Sequence, residues 1–402
     1  MRNGTLGFLS DRLVEARDAR GLTQIALAEL INRTSSSISR WEAGGQSPEP
    51  EALDALSRSL NVPVTFFLQP NADHGDAPMF FRSMASTTQS IRKRTKVRMR
   101  WAQNLSLNLQ NWLDLPDVNV PRLDATKHQN ISSEDIEKIA SECRKVWNLG
   151  NGPIPDVLLV LENAGIVVVK EEIGTVKMDG LSNWSSADGR PYILIASDKQ
   201  TCVRSRMDAA HELGHLVLHH SLNQSALNNS SDFKEIERQA FEFAGAFLLP
   251  AESFATEVWS PSLGTFVALK ERWKVSIAAM IMRCAKLDMV TEEGARRLWK
   301  HYSSRGWRKS EPLDDTLVSE RPRLLSRSIR LLIDEGVQSR DELLNEFRLN
   351  GQDVEALCGL PRGYMTAKPA EIVTLPTLKR SAQAHVDSSV VVPFVQDEKN
   401  ET

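Results

Sequence analysis

Two histidines four residues apart carry the most specific chemistry in this sequence. They stand in the pentapeptide His211-Glu212-Leu213-Gly214-His215. Side chains four residues apart share one face of a helix, so His211 and His215 can bind one metal ion through their ring nitrogens. Zinc binds imidazole nitrogen and leaves a position for water, and Glu212 can act as general base toward that water. Because so short a pattern also occurs by chance, a third ligand has to support the site.

A second helix is expected to supply the third ligand. The long-spaced histidine pattern would need a histidine at position 221, which is Ser221, so that class of site is excluded. A carboxylate is the other common solution. The helical stretch 233–249 offers Glu235, Glu237 and Glu242. Ala240 and Ala244 lie on roughly the face of Glu237, and such small residues would let two helices approach closely.

Two further residues could orient the ligands. His219 shares the metal-facing side of the helix, where a structural or supporting role is more common than ligation. Asp208 stands one turn before His211 and could hold an imidazole through its second nitrogen. The alternative for Asp208 is an ordinary carboxylate on the exposed surface of the helix.

A second constellation, near the N-terminus, has the pattern of two short helices joined by a tight turn. Thr23 and Thr34 are good residues for capping the two helices, 24–30 and 35–42. Asn32 tolerates the left-handed backbone that such a turn needs. Leu27 and Ile38 supply apolar contacts across the turn.

The stretch LTQIALAELINRTSSSISRWEAGGQSPEPEALDALSRSLNV resembles the XRE-type, or phage-repressor, helix-turn-helix, with a match over residues 9–68. Asn32 stands where that family usually has glycine. The resemblance implies that the second helix enters the major groove of DNA. The residues implied for base contacts are Ser35, Ser36 and Arg40, and those implied for phosphate contacts are Gln24 and Ser37. The alternative is a helical unit that mediates protein contacts only.

The segment AAHELGHLVLHH, followed by EIERQAFEFAGAFLLP, resembles the ImmA/IrrE family of zinc metallopeptidases. The stretches GPIPDVLLVLENAGIVVV, ALKERWKVSIAAMIMRCAKLDMV and SRGWRKSEP extend the resemblance over about residues 135–312. It implies Zn²⁺ as cofactor, with Glu237 completing the site. In that family the peptidase typically cleaves a helix-turn-helix repressor. Here a repressor-like unit lies on the same chain, so the substrate stays open between a separate repressor, this chain's own linker, and none.

Three functions are compatible with these observations. The first is a DNA-binding transcriptional regulator with a zinc-dependent peptidase that cleaves a repressor protein. The second is a zinc-containing transcription factor without turnover, in which the metal domain is a sensor or scaffold. The third is an antitoxin-type partner protein. The expected partners are a double-stranded DNA operator and a second copy of the chain, because such regulators usually read palindromes as dimers.

Composition limits the remaining classes. The 402 residues suffice for two or three domains, and the net charge of -3 gives no overall attraction to nucleic acid. The four cysteines are far apart, which predicts neither a disulfide framework nor a cysteine zinc cluster. We find no secretory signal and no apolar run of about 20 residues, so we expect a cytoplasmic protein of bacterial or phage origin without a membrane partner.

A basic stretch at 92–100 contains six arginines and lysines and no acid. It can contact nucleic acid, or it can be the solvated face of a helix. At helical spacing the charges spread around the helix, which weakens the case for a single binding stripe.

The elements that must position these residues predict a mainly α fold with a small β-sheet (α+β). Helices are expected at 203–220 and 233–249, and strands at 166–170 and 192–196. The predicted domains are a five-helix helix-turn-helix domain at 1–70, a linker with a basic helical segment at 71–130, a zincin-like HExxH domain at 131–312, a small helical region at 313–365, and an extended or disordered tail at 366–402.

Overall fold

The structure, a computed structural model, describes residues 4–75, 78–81, 88–123, 128–175, 178–198, 201–222, 227 and 229–366. Helices dominate this part of the chain, and one small sheet accompanies them, which confirms the α+β prediction. Except for Thr366, the predicted tail lies outside the described residues.

The N-terminal unit consists of four α-helices and a short 3-10 helix. The helices are α1 (Ser10–Ala19), α2 (Gln24–Leu30), α3 (Ser35–Glu42) and α4 (Pro50–Leu60), and the 3-10 helix is Val64–Leu68. The Oγ1 atoms of Thr23 and Thr34 accept hydrogen bonds from the backbone at the starts of α2 and α3, as predicted. Asn32 has a φ of 53°, the left-handed conformation that the tight turn requires.

The sheet has four strands, in the order β1, β3, β4, β2. They are β1 (Phe80–Phe81), β2 (Val167–Glu171), β3 (Gly180–Trp184) and β4 (Pro191–Ala196). β2 runs parallel to β4, whereas β1 and β4 both run antiparallel to β3. The strands predicted at 166–170 and 192–196 match β2 and β4 closely. β1 and β3 were not individually predicted.

The remaining helices surround this sheet. They are α5 (Gln89–Leu109), α6 (Ser133–Val146), α7 (Val157–Asn163), α8 (Cys202–Leu218), α9 (Ser230–Leu248), α10 (Ala251–Glu257), α11 (Leu263–Trp273), α12 (Ile277–Lys286), α13 (Glu292–Ser304), α14 (Leu324–Asp334), α15 (Arg340–Phe347) and α16 (Gly351–Cys358). The helices predicted at 203–220 and 233–249 correspond to α8 and α9. Every helix in the described part of the chain is too short or too polar to cross a membrane.

The sheet separates two hydrophobic cores, because successive residues of a strand point to opposite faces. Val167 and Val169 of β2 join a core that also contains the N-terminal unit, α5 and the helices α14 to α16. Val168 and Ile193 face the other core, which contains α6 to α13. Helix α8, which carries the histidine motif, therefore lies on one face of the sheet. The helix-turn-helix unit belongs to the core on the opposite face.

Helix α5 contains the basic stretch and packs as a core element, not as a solvated connection. Arg98 is buried and pairs with Glu171 of β2, to which its Nε donates at 2.9 Å, and with Asp353 of α16. Trp101 donates to Glu15 of α1 through its indole nitrogen at 2.6 Å. The basic helix was expected to offer its charges to solvent or nucleic acid. This expectation is wrong for Arg98, because Glu171 and Asp353 neutralise its charge inside the protein. The domain boundaries themselves stay a prediction.

Candidate functional site

Helices α8 and α9 pack tightly against each other next to the sheet. Gly214 of α8 makes this close contact possible, because a Cβ atom there would lie 3.1 Å from the Cα and carbonyl oxygen of Ala240 in α9. The small residue Ala240 thus faces α8, as the sequence predicted. Phe243 and Ala244 of α9 are fully buried in the same core. The contact brings the polar residues of both helices to one buried spot.

Three side chains on these helices form a compact set of metal-binding atoms. The Nε2 atoms of His211 and His215 lie 3.1 Å apart, and the two carboxylate oxygens of Glu237 lie 3.5 Å and 3.3 Å from them, respectively. A tetrahedral zinc ion with bonds of 2.0–2.1 Å would separate its ligands by about 3.3 Å. Among the described residues, this is the group of histidines and acids that could hold a metal ion. The donor set and its spacing fit zinc.

Glu237 is one of the three glutamates of α9 that were candidates for the third metal ligand. Burial alone would raise the pKa of Glu237, but the adjacent His211 and His215 lower it below its usual range. The carboxylate is therefore ionised and suited to a cation. Glu235 and Glu242 instead pair with Arg238. They do not belong to the histidine cluster.

Glu212 is fully buried next to the histidines and is held by strand β3. Ser182 donates to its Oε2 at 2.6 Å. A Cβ atom at Gly180, two residues earlier on the same face of β3, would lie 2.6 Å from the other carboxylate oxygen. Sequence reasoning missed both residues. Their spacing of two along a strand is the signal that could have placed them on one face.

His219 continues a line of hydrogen bonds away from the metal-binding atoms. Its Nε2 donates to Oε1 of Gln239 at 3.0 Å, and its Nδ1 lies 3.1 Å from Nδ1 of His215. Burial lowers the pKa of His219 well below 6.5, and the neighbouring His215 lowers it further, so the ring is neutral. His219 lies next to His215 and outside the set of His211, His215 and Glu237. Its supporting role stays a prediction.

Gln239 fixes the direction of this line. Its Nε2 donates to the backbone oxygen of His128 at 2.8 Å, so its oxygen faces His219. With Nε2 protonated, the Nδ1 of His219 must accept from Nδ1 of His215. The Nε2 lone pair of His215 is then left for a metal ion.

Asp208 is buried one turn before His211. The exposed helix-surface carboxylate considered as its alternative is therefore wrong. Its role in orienting an imidazole stays a prediction.

The two-residue strand β1 contributes a side chain that sequence reasoning did not connect with the site. The ring of Phe80 stacks on the ring of His215, with centroids 4.6 Å apart and an angle of 7° between the planes. Phe80 lies opposite Ser182 in the pairing of β1 with β3. A segment assigned to the linker thus covers the histidine cluster.

The residues expected to contact DNA lie on α2 and α3. Ser35, Ser36 and Arg40 are exposed on α3, and Ser37 is half-buried. Gln24 donates through its amide to Glu42 at 2.7 Å, and so takes part in the hydrogen bonds within this unit. The contacts of all five residues with DNA stay predictions.

Two family models match the chain. The model described as Helix-turn-helix matches residues 13–67, and the model described as IrrE N-terminal-like domain matches residues 161–285. Both resemblances found in the sequence are confirmed. The solved structure of Bacillus thuringiensis PlcR in complex with the peptide PapR7 and DNA is 14% identical, over 76% of this chain and 98% of that chain. Its TM-score of 0.14 is too low to carry a structural argument. No curated protein matches the chain.

Proposed function

Because the chain joins a helix-turn-helix domain to an IrrE-like domain of the peptidase family, we propose that it is a DNA-binding regulator with a zinc-dependent endopeptidase site. Its substrate is a repressor protein, either a separate one or this chain itself. Its DNA partner is an operator that two copies of the chain read together through the exposed face of α3.

The observation that carries this proposal is the triangle of donor atoms with a buried carboxylate beside it. His211, His215 and Glu237 would hold the zinc ion. When bound, zinc supplies a Lewis acid that acidifies water and polarises a carbonyl oxygen. The remaining chemistry belongs to the protein's own side chains.

Glu212 is the general base. The hydrogen bond from Ser182 fixes one carboxylate oxygen. Glu212 takes a proton from the attacking water and passes it to the leaving amine as the peptide bond breaks. His219 and Gln239 act only through His215, by keeping the proton of that ring on Nδ1. They are positioning residues.

A regulator without turnover is the second candidate. The side chains of His211, His215 and Glu212 are all fully buried. In this conformation no peptide backbone reaches them from solvent, which favours a sensor or a latent enzyme.

Glu212→Gln separates the two candidates, since catalysis needs the carboxylate and metal retention does not. Purified wild-type, Glu212→Gln and Glu293→Gln proteins are loaded with zinc and matched for metal content by elemental analysis. Each is incubated with Zn²⁺ or Mn²⁺, single-stranded DNA and any helix-turn-helix protein encoded next to it, and intact masses are followed over time. Glu293→Gln is the matched control, because Glu293 is exposed on α13 and lies outside the donor set.

Cleavage by the wild type and by Glu293→Gln, but not by Glu212→Gln, supports the peptidase. An absence of cleavage under every condition, with zinc bound and operator DNA held equally by all three proteins, favours the regulator without turnover.

A further inference from the structure

Strand β1 lies where a peptide substrate of a strand-binding peptidase would lie. Proteins often bind extended peptides by adding them as a strand to an exposed sheet edge. The edge in question is β3, whose Ser182 holds the general base Glu212. β1 pairs antiparallel with β3, with Phe80 opposite Ser182 and Phe81 opposite Leu181.

The side chain of Phe80 fills a pocket beside the metal-binding atoms. On one side its ring stacks on His215 at 4.6 Å and lies 5.9 Å from His219. The rest of the pocket is apolar and consists of Leu222, Leu227 and Ile236, with Phe233 at its border. Phe80 is only 3% exposed. The pocket thus matches a flat aromatic side chain in both shape and polarity.

The geometry points to self-occupation of the substrate site. Residues 78–81 of this chain act as a built-in pseudosubstrate, and the pocket of Phe80 is a subsite for an aromatic side chain of the repressor substrate. This inference rests on the proposed peptidase function. The site opens when β1 leaves β3, and the incoming peptide then takes the same pairing and places an aromatic ring on His215.

The affinity for a peptide tests the proposed self-occupation without requiring the peptide to be cleaved. The probe is a fluorescein-labelled peptide with Pro-Met-Phe-Phe, the sequence of residues 78–81, between Gly-Ser flanks. All proteins are full-length, loaded with zinc and carry Glu212→Gln, so the probe is not cut. Fluorescence anisotropy gives the affinity for the parent protein, for Phe80→Ala and for Phe80→Tyr.

Phe80→Ala should bind the probe at least tenfold more tightly than the parent, because the resident ring no longer fills the pocket. Phe80→Tyr keeps an aromatic ring and should bind like the parent. A probe with Pro-Met-Ala-Phe should bind Phe80→Ala at least tenfold more weakly than the original probe. If circular dichroism shows that Phe80→Ala is unfolded, Phe80→Leu replaces it in the same comparison.

Equal affinities of the parent and Phe80→Ala would overturn the inference, as would equal affinities of the two probes for Phe80→Ala. The outcome is separate from that of the proposed function. Tighter binding without cleavage in the Glu212 experiment keeps the subsite and removes the peptidase. Cleavage without a difference in probe binding keeps the peptidase and removes self-occupation.

Discussion

The second ring nitrogen of His215, Nδ1, lies within a line of hydrogen bonds. His215 is hydrogen-bonded to His219, and His219 donates to Gln239. These two hydrogen bonds fix the tautomers of both rings. A neutral ring that binds metal through Nε2 must carry its proton on Nδ1. The order of partners therefore prepares His215 to bind a cation before any cation arrives.

His219→Phe is expected to weaken zinc binding by about 10–100-fold, the usual effect of removing a partner of a metal-binding histidine. The phenyl ring fills similar space but cannot accept the proton of His215 Nδ1. Competition with a chromophoric zinc chelator measures the affinity. His301→Phe, at an exposed position of α13, is the matched control and should bind zinc like the wild type. Unchanged affinity in His219→Phe would show that His215 does not depend on this line.

At the scale of elements, the contact of α8 with α9 decides whether Glu237 reaches the histidines. Gly214→Ala would place a methyl group 3.1 Å from backbone atoms of Ala240, and backbone cannot turn aside as a flexible side chain does. The helices must separate, so we expect weaker zinc binding and a loss of about 1–3 kcal/mol in the free energy of unfolding.

Gly245→Ala is the control for this change. Gly245 also lies within a helix, α9, but its nearest neighbour would be 3.9 Å from a new Cβ atom, at Cδ of Arg283. Alanine should therefore raise the free energy of unfolding by roughly 0.5–1 kcal/mol, as expected inside a helix. Urea unfolding and chelator competition measure both variants. A stabilised Gly214→Ala with normal zinc affinity would contradict the close-contact argument.

Helix α7 is joined to the start of α14 through a buried carboxylate. Glu162 accepts hydrogen bonds at 2.8–3.0 Å from the backbone nitrogens of Arg323 and Leu324. Burial raises the pKa of Glu162 from 4.5 to about 7, although these hydrogen bonds oppose the shift. Because the pKa of Glu162 is higher in the folded than in the unfolded state, Glu162 does not lower the free energy of unfolding at pH 4.5 and below. The free energy of unfolding then falls as the pH rises from 4.5 to about 7.

The size of that loss is about 3 kcal/mol for a pKa raised from 4.5 to about 7. Glu162→Gln cannot ionise, so its free energy of unfolding should not show this decrease. Urea unfolding at pH 5, 6, 7 and 8 compares it with the wild type and with Glu293→Gln, an exposed control on α13. Parallel pH curves for wild type and Glu162→Gln would refute the raised pKa.

A residue's position can be predicted from the sequence when the pattern that determines it is local, and not when its partners are far away in the sequence. His211 and His215 could be predicted because helical spacing is local. Spacing alone left Glu235, Glu237 and Glu242 open as the third ligand, and only the resemblance to the ImmA/IrrE family indicated Glu237. β1 has two residues, which is too short for any periodic pattern, and so Phe80 was assigned to a linker. Arg98 was expected to be exposed because its acidic partner Asp353 lies 255 residues away in the sequence. Only the fold brings such partners together.

At the scale of the whole molecule, ion pairs join the helix-turn-helix unit to the rest of the chain, in addition to the apolar core that they share. Arg20, at the end of α1, donates to Asp353 of α16 at 2.6 Å and 3.0 Å. Asp353 also forms an ion pair with Arg98, and Arg98 in turn pairs with Glu171 of β2. One carboxylate thus connects the DNA-binding unit, α5 and, through Arg98, the sheet that holds Glu212.

Asp353→Asn tests this connection. Loss of the charge leaves two arginines with less compensation, and breaking a buried ion pair from one side typically costs about 3–5 kcal/mol. We expect scanning calorimetry to show a lower melting temperature and a separate, earlier transition for the helix-turn-helix unit. Asp315→Asn, at an exposed position, should melt like the wild type. A single transition at the wild-type temperature would mean that the apolar core shared by α1, α5 and the sheet joins the two units without help from this cluster.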